Sequence, residues 1–332
     1  MKTYLVTGTA GFIGSNLAEQ LLKDGHEVIG LDIMSTGTQE NLDILKKYSN
    51  FEFVFSDITD SSRMKELGVK LKEKSVNCIF HVAGLARIQM GIQNPEKCLS
   101  LNVLGTMNVL EMMKVAGIKN IVFSSSSSIY GLKHTDRLPL KEDYEPDCLN
   151  QYAWSKYASE QLIKTYCKLY RLDGICLRYF NVVGKREVLD GDLAPILGLF
   201  FRKLLVEKKP LTIIGDGLQR RDMTYIDDVV SANIKAATQC EKGIVSRFHG
   251  EVFNVGTGVN RTVLDLANSV LDSLGMDKQS NIIFVEPRPG EARASQADIS
   301  KAKKFLGWEP KVILEDIICK HRDYYLDKWN IK

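Results

Sequence analysis

Short apolar runs alternate along the first half of the chain with longer stretches whose apolar residues return every three or four positions. TYLVTG, HEVIGLD, NFEFVF, NCIFHVA, KNIVFSS and DGICLRYF read as strands, and FIGSNLAEQLLKDG has the spacing of a helix. Strands in alternation with helices predict an α/β fold, a doubly wound parallel sheet of the Rossmann type with helices on both faces. Gly25, Gly117 and Gly174 fall after or near the helix-like stretches, where a left-handed cap favours glycine. RMKELGVKLKEKS alternates in charge sign and reads as a helix with a solvated face.

Past residue 180 the rhythm breaks into NVVGKREVLDGD, a helical segment, a strand-like PLTIIGDG and several polar loops, which predicts a smaller α/β lobe. Within 223–258, the amphipathic YIDDVVSANIKAATQ and the strand-like EVFNVGTG are suited to rejoin the first sheet. The expected organisation is a first domain over 1–180 with 223–258 returning to it, and a second lobe over 181–222 and 259–332.

Composition narrows the class. The 332 residues are 44% hydrophobic and 26% charged with only 8 Pro, which excludes disordered and collagen-like chains. A formal charge of +3, from 44 basic and 41 acidic residues, is too small for tracking along nucleic acid, so any bound anion is expected to be small. Seven scattered Cys with no C-x-x-C suggest neither a disulfide framework nor a zinc site. The chain opens on MKTYLVTG without an apolar leader, and nothing approaches the roughly 18 apolar residues of a membrane span, so a cytoplasmic protein is expected.

After the first strand comes TGTAGFIG, with Gly8, Gly11 and Gly14 at the turn into the helix. Glycines here let backbone approach a pyrophosphate, whose charge is met by helix N-terminal amides; the competing reading is a tight turn that binds nothing. Asp32 ends the second strand about 20 residues on, where a carboxylate accepts ribose hydroxyls and repels a 2′-phosphate, favouring NAD over NADP. Asp57, after the third strand, is placed either for the adenine amino group or for an Asx turn.

Tyr152 and Lys156 stand i,i+4 in YAWSKYASEQL, so on a helix their heads share one face, and an ammonium beside a phenol favours phenolate, a base at neutral pH. Ser126, in SSSSSIYG at the end of the fifth strand, lies where open α/β sheets place ligands. The alternative there is a serine-rich turn that bonds its own backbone.

Together TGTAGFIG, Asp32, SSSSSIYG, YAWSK and LRYFNVVG resemble the extended short-chain dehydrogenase/reductase family, and more narrowly its nucleotide-sugar 4-epimerases, from residue 2 to about residue 310. The resemblance implies bound NAD, with Tyr152 as base, Lys156 lowering its pKa and holding the nicotinamide ribose, and Ser126 bonding the sugar 4-hydroxyl. It further implies Phe12 and Ile13 at the pyrophosphate, Asp57 and Ile58 at the adenine, and Val82, Ala83 and Asn102 along the cofactor. Asn181, Arg221 and Arg288 match positions that hold the substrate's nucleotide diphosphate, for which planar guanidinium forks are suited. His81 reads as a core residue.

The sequence departs from family habit at Asn150 and Gln151, where many relatives carry Ser-Pro, and at Ala86, followed by Arg87, where hexose epimerases carry the Lys of a G-L-K loop. Ser127 and Ser128 stand where a 4,6-dehydratase carries Asp-Glu, and Ser128 joins the expected substrate contacts. Without those acids the implied outcome is 4-epimerisation: oxidation at carbon 4, rotation of the keto sugar, and return of hydride to the opposite face. Ser295, seven residues after Arg288, takes a position that is bulky in strict glucose/galactose enzymes, which favours a 2-acetamido sugar on UDP; Arg87 is suited to a uronic acid carboxylate. The alternatives are a 4-dehydrogenase or reductase, and a non-catalytic NAD sensor. The resemblance also implies a homodimer through the helix after Asn94 and the helix of Tyr152, with Met107, Leu110, Met112, Met113, Leu162 and Tyr166 as apolar candidates; an intrachain core is equally consistent.

Overall fold

Seven parallel strands form the central sheet, in the order β11-β6-β5-β4-β1-β2-β3, in a computed structural model that describes residues 1–86, 88–189, 195–242, 248–286 and 293–331. The first half alternates as the sequence predicts. It runs β1 (Thr3–Thr7), α1 (Phe12–Lys23), β2 (Glu27–Asp32), α2 (Gln39–Leu45), β3 (Phe51–Phe55), α3 (Ser61–Leu71), β4 (Val76–His81), α4 (Ile88–Gln93), α5 (Pro95–Leu99), α6 (Gly105–Ala116), β5 (Asn120–Ser126), α7 (Gln151–Tyr170) and β6 (Asp173–Tyr179). The rest comprises β7 (Val182–Val183), α8 (Ile196–Leu205), β8 (Leu211–Ile214), β9 (Arg220–Asp222), β10 (Thr224–Tyr225), α9 (Ile226–Glu241), β11 (His249–Val255), β12 (Asn260–Thr262), α10 (Val263–Ser273), β13 (Ile282–Val285), α11 (Ser300–Leu306) and α12 (Leu314–Lys328).

Alternate residues of each strand face opposite layers. Tyr4, Val6, Phe80 and Val122 pack on α1 and α9 through Leu17, Leu21, Val229 and Ala236. Leu5, Ile79, Ile121 and Phe123 pack on α3, α6 and α7 through Met64, Leu67, Val109 and Ile163. The first of these cores continues without a break into Phe200 and Phe201 of α8, Leu266 and Val270 of α10, and Tyr325 of α12. β11 pairs with β6, so a strand that follows β8 and β9 in the chain becomes the outer strand of the main sheet.

One reading changes. Gly174 lies inside β6, not at a cap, and a Cβ there would press on Cys167 Sγ at 2.6 Å, so its lack of a side chain serves the close approach of α7 to the sheet. The left-handed cap of α7 is Arg171, at φ 53°. The charged segment 61–71 buries Met64, Leu67 and Leu71, so α3 is amphipathic, with a core-facing side opposite the solvated one.

Among the apolar candidates for a subunit contact, Leu110, Met112 and Met113 are fully buried within the chain, because that face of α6 covers the sheet. Leu162 and Tyr166 lean partly on the same core. The exposed apolar side chains on these helices are others, with Leu99, Leu104 and Trp154 at 36, 45 and 52% exposure.

Candidate active site

Strand order reverses between β1 and β4, and the loops leaving their C-terminal ends frame a crevice of the kind that takes ligands in open α/β sheets. Gly8 follows β1 at φ +72°, and a Cβ there would lie 2.8 Å from the Ala83 amide nitrogen, so glycine is what lets the two loops meet. A Cβ on Gly14 would overlap the Gly8 carbonyl oxygen. Thr7 Oγ1 accepts from the amides of both Val82 and Ala83 at 3.1 Å, which ties the second loop to β1.

Helix α1 starts at Gly11 with no side-chain cap and no acidic residue in its first turn. Its opening amides, those of Phe12 and Ile13 among them, are therefore left for an anion, favoured further by the helix dipole. Asp32 Oδ2 accepts from the Ala10 amide at 2.9 Å and Oδ1 from the Met34 amide at 2.7 Å, so this carboxylate also fastens the glycine loop. Asp57 Oδ1 accepts from the amide and hydroxyl of Thr59, an Asx turn. Ile58 points its side chain into the core against Gly105, and its carbonyl accepts from Asn108 Nδ2. The uncapped α1, the strictly small Gly8 and Gly14, and the acid at the end of β2 together fit a dinucleotide.

Tyr152 and Lys156 lie one turn apart on α7, 8% and 4% exposed. The helix begins at Asn150, whose Oδ1 accepts from the Ala153 amide at 2.9 Å; the departure from Ser-Pro thus supplies an N-cap. Tyr152 packs with Leu85 and Cys98, and its backbone lies against Gly91 of α4. Lys156 Nζ donates to the Ser124 carbonyl at 2.8 Å and lies 4.9 Å from the centroid of the Phe123 ring. Burial pulls its ammonium down to about 8, opposed by Cys98 and Glu160.

Ser126 Oγ accepts from the amide of Ser128 at 3.2 Å and its hydroxyl at 2.9 Å, so its own proton is left for another acceptor. Asn102, within a π turn over 100–104, reaches back with its side chain: Oδ1 accepts from the Leu85 amide at 2.7 Å and Nδ2 donates to Ser155 Oγ at 2.8 Å. It thereby joins the loop after β4 to α7.

His81 is fully buried. Thr7 Oγ1, already accepting two amides, donates to Nδ1 at 2.8 Å, and Nε2 donates to Thr106 Oγ1 at 3.0 Å, whose proton is given to the Asn102 carbonyl. That network selects the neutral ring, and burial, with the nearby Lys156 charge, pulls its pKa down to about 3.

Just after β6, Asn181 donates to the Asp222 carbonyl at 2.9 Å, beside Arg221 on β9. The Asp222 carboxylate is not a surface partner for Arg221. It is fully buried and accepts from the amides of Thr257, Gly258 and Ala297 and from Thr257 Oγ1. Ser295 donates its amide to the Arg220 carbonyl at 3.1 Å, and its buried hydroxyl has no hydrogen-bond partner among the described residues. Arg87 and Arg288 lie outside the described residues.

Sequence reasoning passed over Asp222 as an organiser, and over Glu160 and Arg178, a fully buried ion pair behind Ser125. The available signal for the pair was an arginine within the otherwise apolar strand DGICLRYF, since a buried charge requires a partner.

A Rossmann crevice with a serine ending β5 and a Tyr-x-x-x-Lys helix beside it defines a dinucleotide-dependent enzyme of the extended short-chain dehydrogenase/reductase type. The family described as GDP-mannose 4,6 dehydratase matches residues 5–321. UDP-glucose 4-epimerase of Mycolicibacterium smegmatis is 35% identical over 329 residues, 99% of each chain. UDP-N-acetylglucosamine 4-epimerase from Methanobrevibacter ruminantium, solved with UDP-N-acetylmuramic acid, superposes with a TM-score of 0.88 at 28% identity, covering 98% of this chain and 99% of that one. A mutant of UDP-glucuronic acid 4-epimerase from Bacillus cereus, solved with UDP-4-deoxy-4-fluoro-glucuronic acid and NAD, gives 0.85 at 31% identity, covering 98% and 99%. The chain belongs to the GDP-mannose 4,6 dehydratase family, within its NAD-dependent nucleotide-sugar epimerases. No described helix is long and apolar enough to cross a membrane.

Proposed function

We propose that this protein interconverts the 4-epimers of a UDP-sugar and tolerates a 2-acetamido group, with UDP-N-acetylglucosamine and UDP-N-acetylgalactosamine as the pair. The observation that carries the epimerase reading is the joining of α7 to the end of β5 through Lys156 and Ser124, which brings the Tyr152 helix beside Ser126 at the sheet edge. NAD, when bound, supplies a reversible hydride acceptor for sugar carbon 4. Tyr152 takes the 4-hydroxyl proton and later returns it, Lys156 stabilises the phenolate, and Ser126 directs its free proton to the sugar oxygen. Phe12 and Ile13 hold the pyrophosphate by their amides, and Asp32 holds the adenosine ribose. Asn181, Arg221 and Arg288, in the lobe over 181–222 and 259–332, grip the diphosphate while the sugar turns.

Acetamido tolerance is supported by Ser295, a small residue whose buried hydroxyl has no partner among the described residues, and by the similar fold of the enzyme named for UDP-N-acetylglucosamine. We further assign a homodimer whose contact includes Leu99, Leu104 and Trp154 rather than the buried face of α6. Trp154 also lines an apolar groove of about 380 Å³, together with Val103, Tyr157 and Leu162. Seven free thiols, five of them buried, suit a reducing cytoplasm.

The test is incubation with UDP-N-acetylglucosamine, UDP-glucose and UDP-glucuronate, with products resolved by chromatography and NADH followed by absorbance. The expected result is interconversion of the acetamido pair without net NADH and its loss in Tyr152→Phe. Turnover of only UDP-glucose or UDP-glucuronate overturns the acetamido assignment. Stoichiometric consumption of added NAD with a released keto sugar overturns epimerisation.

A further inference from the structure

Tyr152, Lys156 and Glu160 follow one another at four-residue spacing on a single face of α7. Glu160 is 1% exposed. Its Oε1 accepts from Ser125 Oγ at 2.6 Å and from Arg178 Nε at 2.9 Å, and its Oε2 from Arg178 Nη2 at 2.8 Å. Arg178 comes from the body of β6, and its guanidinium lies 4.8 Å from the centroid of the Tyr130 ring. A two-pronged ion pair thus bridges α7 and β6, with Ser125 of β5 fastened to it.

Stability alone is a poor reason for this arrangement. Burying two charges is seldom better than burying apolar side chains of the same size. Here Arg178 Nη1 is also buried with no partner among the described residues, a further cost. The position supplies another reason. Ser125 stands between Ser124, whose carbonyl accepts from Lys156, and Ser126, whose hydroxyl faces the sheet edge.

We propose that Glu160, held by Arg178, is a positioning residue for the Ser126, Tyr152 and Lys156 site: it fastens strand end 124–126 to α7 and supplies the counter-charge for the Lys156 ammonium. The proposal rests on the reading of those three residues given above. The groups that face Lys156 come from every neighbouring element: Tyr152 and Glu160 from its own helix, His81 from β4, Cys98 from α5 and, through Glu160, Arg178 from β6. His81 is held neutral by burial, and burial pushes the Cys98 thiol up, so neither offers a charge. Cys98 opposes the desolvation of Lys156 only when ionised, which burial of its thiol disfavours, so Glu160 is the anion left to oppose it at neutral pH, and Arg178 sets how much of that anion Lys156 feels.

The geometry makes opposite predictions for the two partners, which a merely structural role does not. In protein carrying isotope-labelled lysine, the Lys156 signal is assigned by its loss in Lys156→Arg and followed by NMR against pH. Its midpoint is expected about one pH unit lower in Glu160→Gln than in wild type, tenfold in proton concentration, and higher in Arg178→Met. Glu160→Gln/Arg178→Met is expected between the two single variants. The alkaline limb of kcat shifts the same way, and Glu160→Gln lowers kcat about tenfold with less change in KM.

Equal midpoints in all variants, or shifts of one sign in both single variants, overturn the proposal. Should Arg178→Met fail to fold, Glu160→Gln and the double variant still decide: the single must shift down and the double must return toward wild type. The titration needs no turnover. A wild type that interconverts no nucleotide sugar therefore refutes the functional reading separately from this one.

Discussion

The Lys156 ammonium donates to the carbonyl of Ser124, two residues before Ser126, across 2.8 Å. One hydrogen bond thereby connects the middle of α7 to the end of β5 and fixes where a cation sits at the sheet edge. The charge is held under burial that disfavours it, which gives the site a measurable stability cost.

The native state holds the Lys156 proton less tightly than the unfolded chain, at about 8 against 10.5. The penalty is therefore full below about pH 8 and is relieved as pH rises toward 10.5. Lys156→Met removes a penalty of at most about 3 kcal/mol and leaves the Ser124 carbonyl unbonded at about 1 kcal/mol or more. The apo protein is expected to gain about 1–2 kcal/mol at pH 7, by urea denaturation, while interconversion is lost.

His81 acts with the same sign in a lower pH window. It is neutral in the native state, with its pKa pulled from 6.5 to about 3. The unfolded chain binds a proton that the native chain refuses, so stability falls as pH drops from about 6.5 toward 3. His81→Gln, which cannot ionise, is expected to flatten the decline in unfolding free energy between pH 7 and 5.

Two glycines separate steric from conformational demand. Gly14→Ala places a methyl on the Gly8 carbonyl oxygen and is expected to abolish NAD binding, measured by calorimetry, or to prevent folding. Gly117, at φ +76° with nothing within 4 Å of a built Cβ, caps α6. Gly117→Ala is expected to cost about 1 kcal/mol and to leave NAD affinity unchanged.

Asp222 holds three backbone amides and a hydroxyl next to Arg221. Asp222→Ala leaves those donors buried without a partner, at a cost of about 2–4 kcal/mol in stability. Affinity for UDP is expected to fall by about tenfold or more through displacement of the neighbouring arginine, as titration calorimetry would show.

The order of strands and helices, the glycine loop and the Tyr-x-x-x-Lys spacing were legible because each is local. Side-chain period, the absence of a Cβ, and four-residue separation on a helix are properties of a few neighbouring residues. Gly174 misled because a glycine near a helix end and a glycine forced by close packing of α7 on β6 look alike along the chain. From the sequence the face of α6 is open between a subunit contact and an intrachain core, because an apolar stripe records that something covers it, not what does.

What only the tertiary structure decided is which distant residues share their charges and hydrogen bonds. Glu160 meets Arg178 and Ser125, Asn102 reaches Leu85 and Ser155, and Asp222 gathers amides from positions 257, 258 and 297. The hydrogen-bonding capacity of a carboxylate or an amide is written in its residue type, but the obligation to satisfy it arises on burial, and burial is set by how the sheet and its helices close around it. The chain by itself therefore determined the fold class and the local motifs from which a site is proposed, and three-dimensional packing determined the contacts around them.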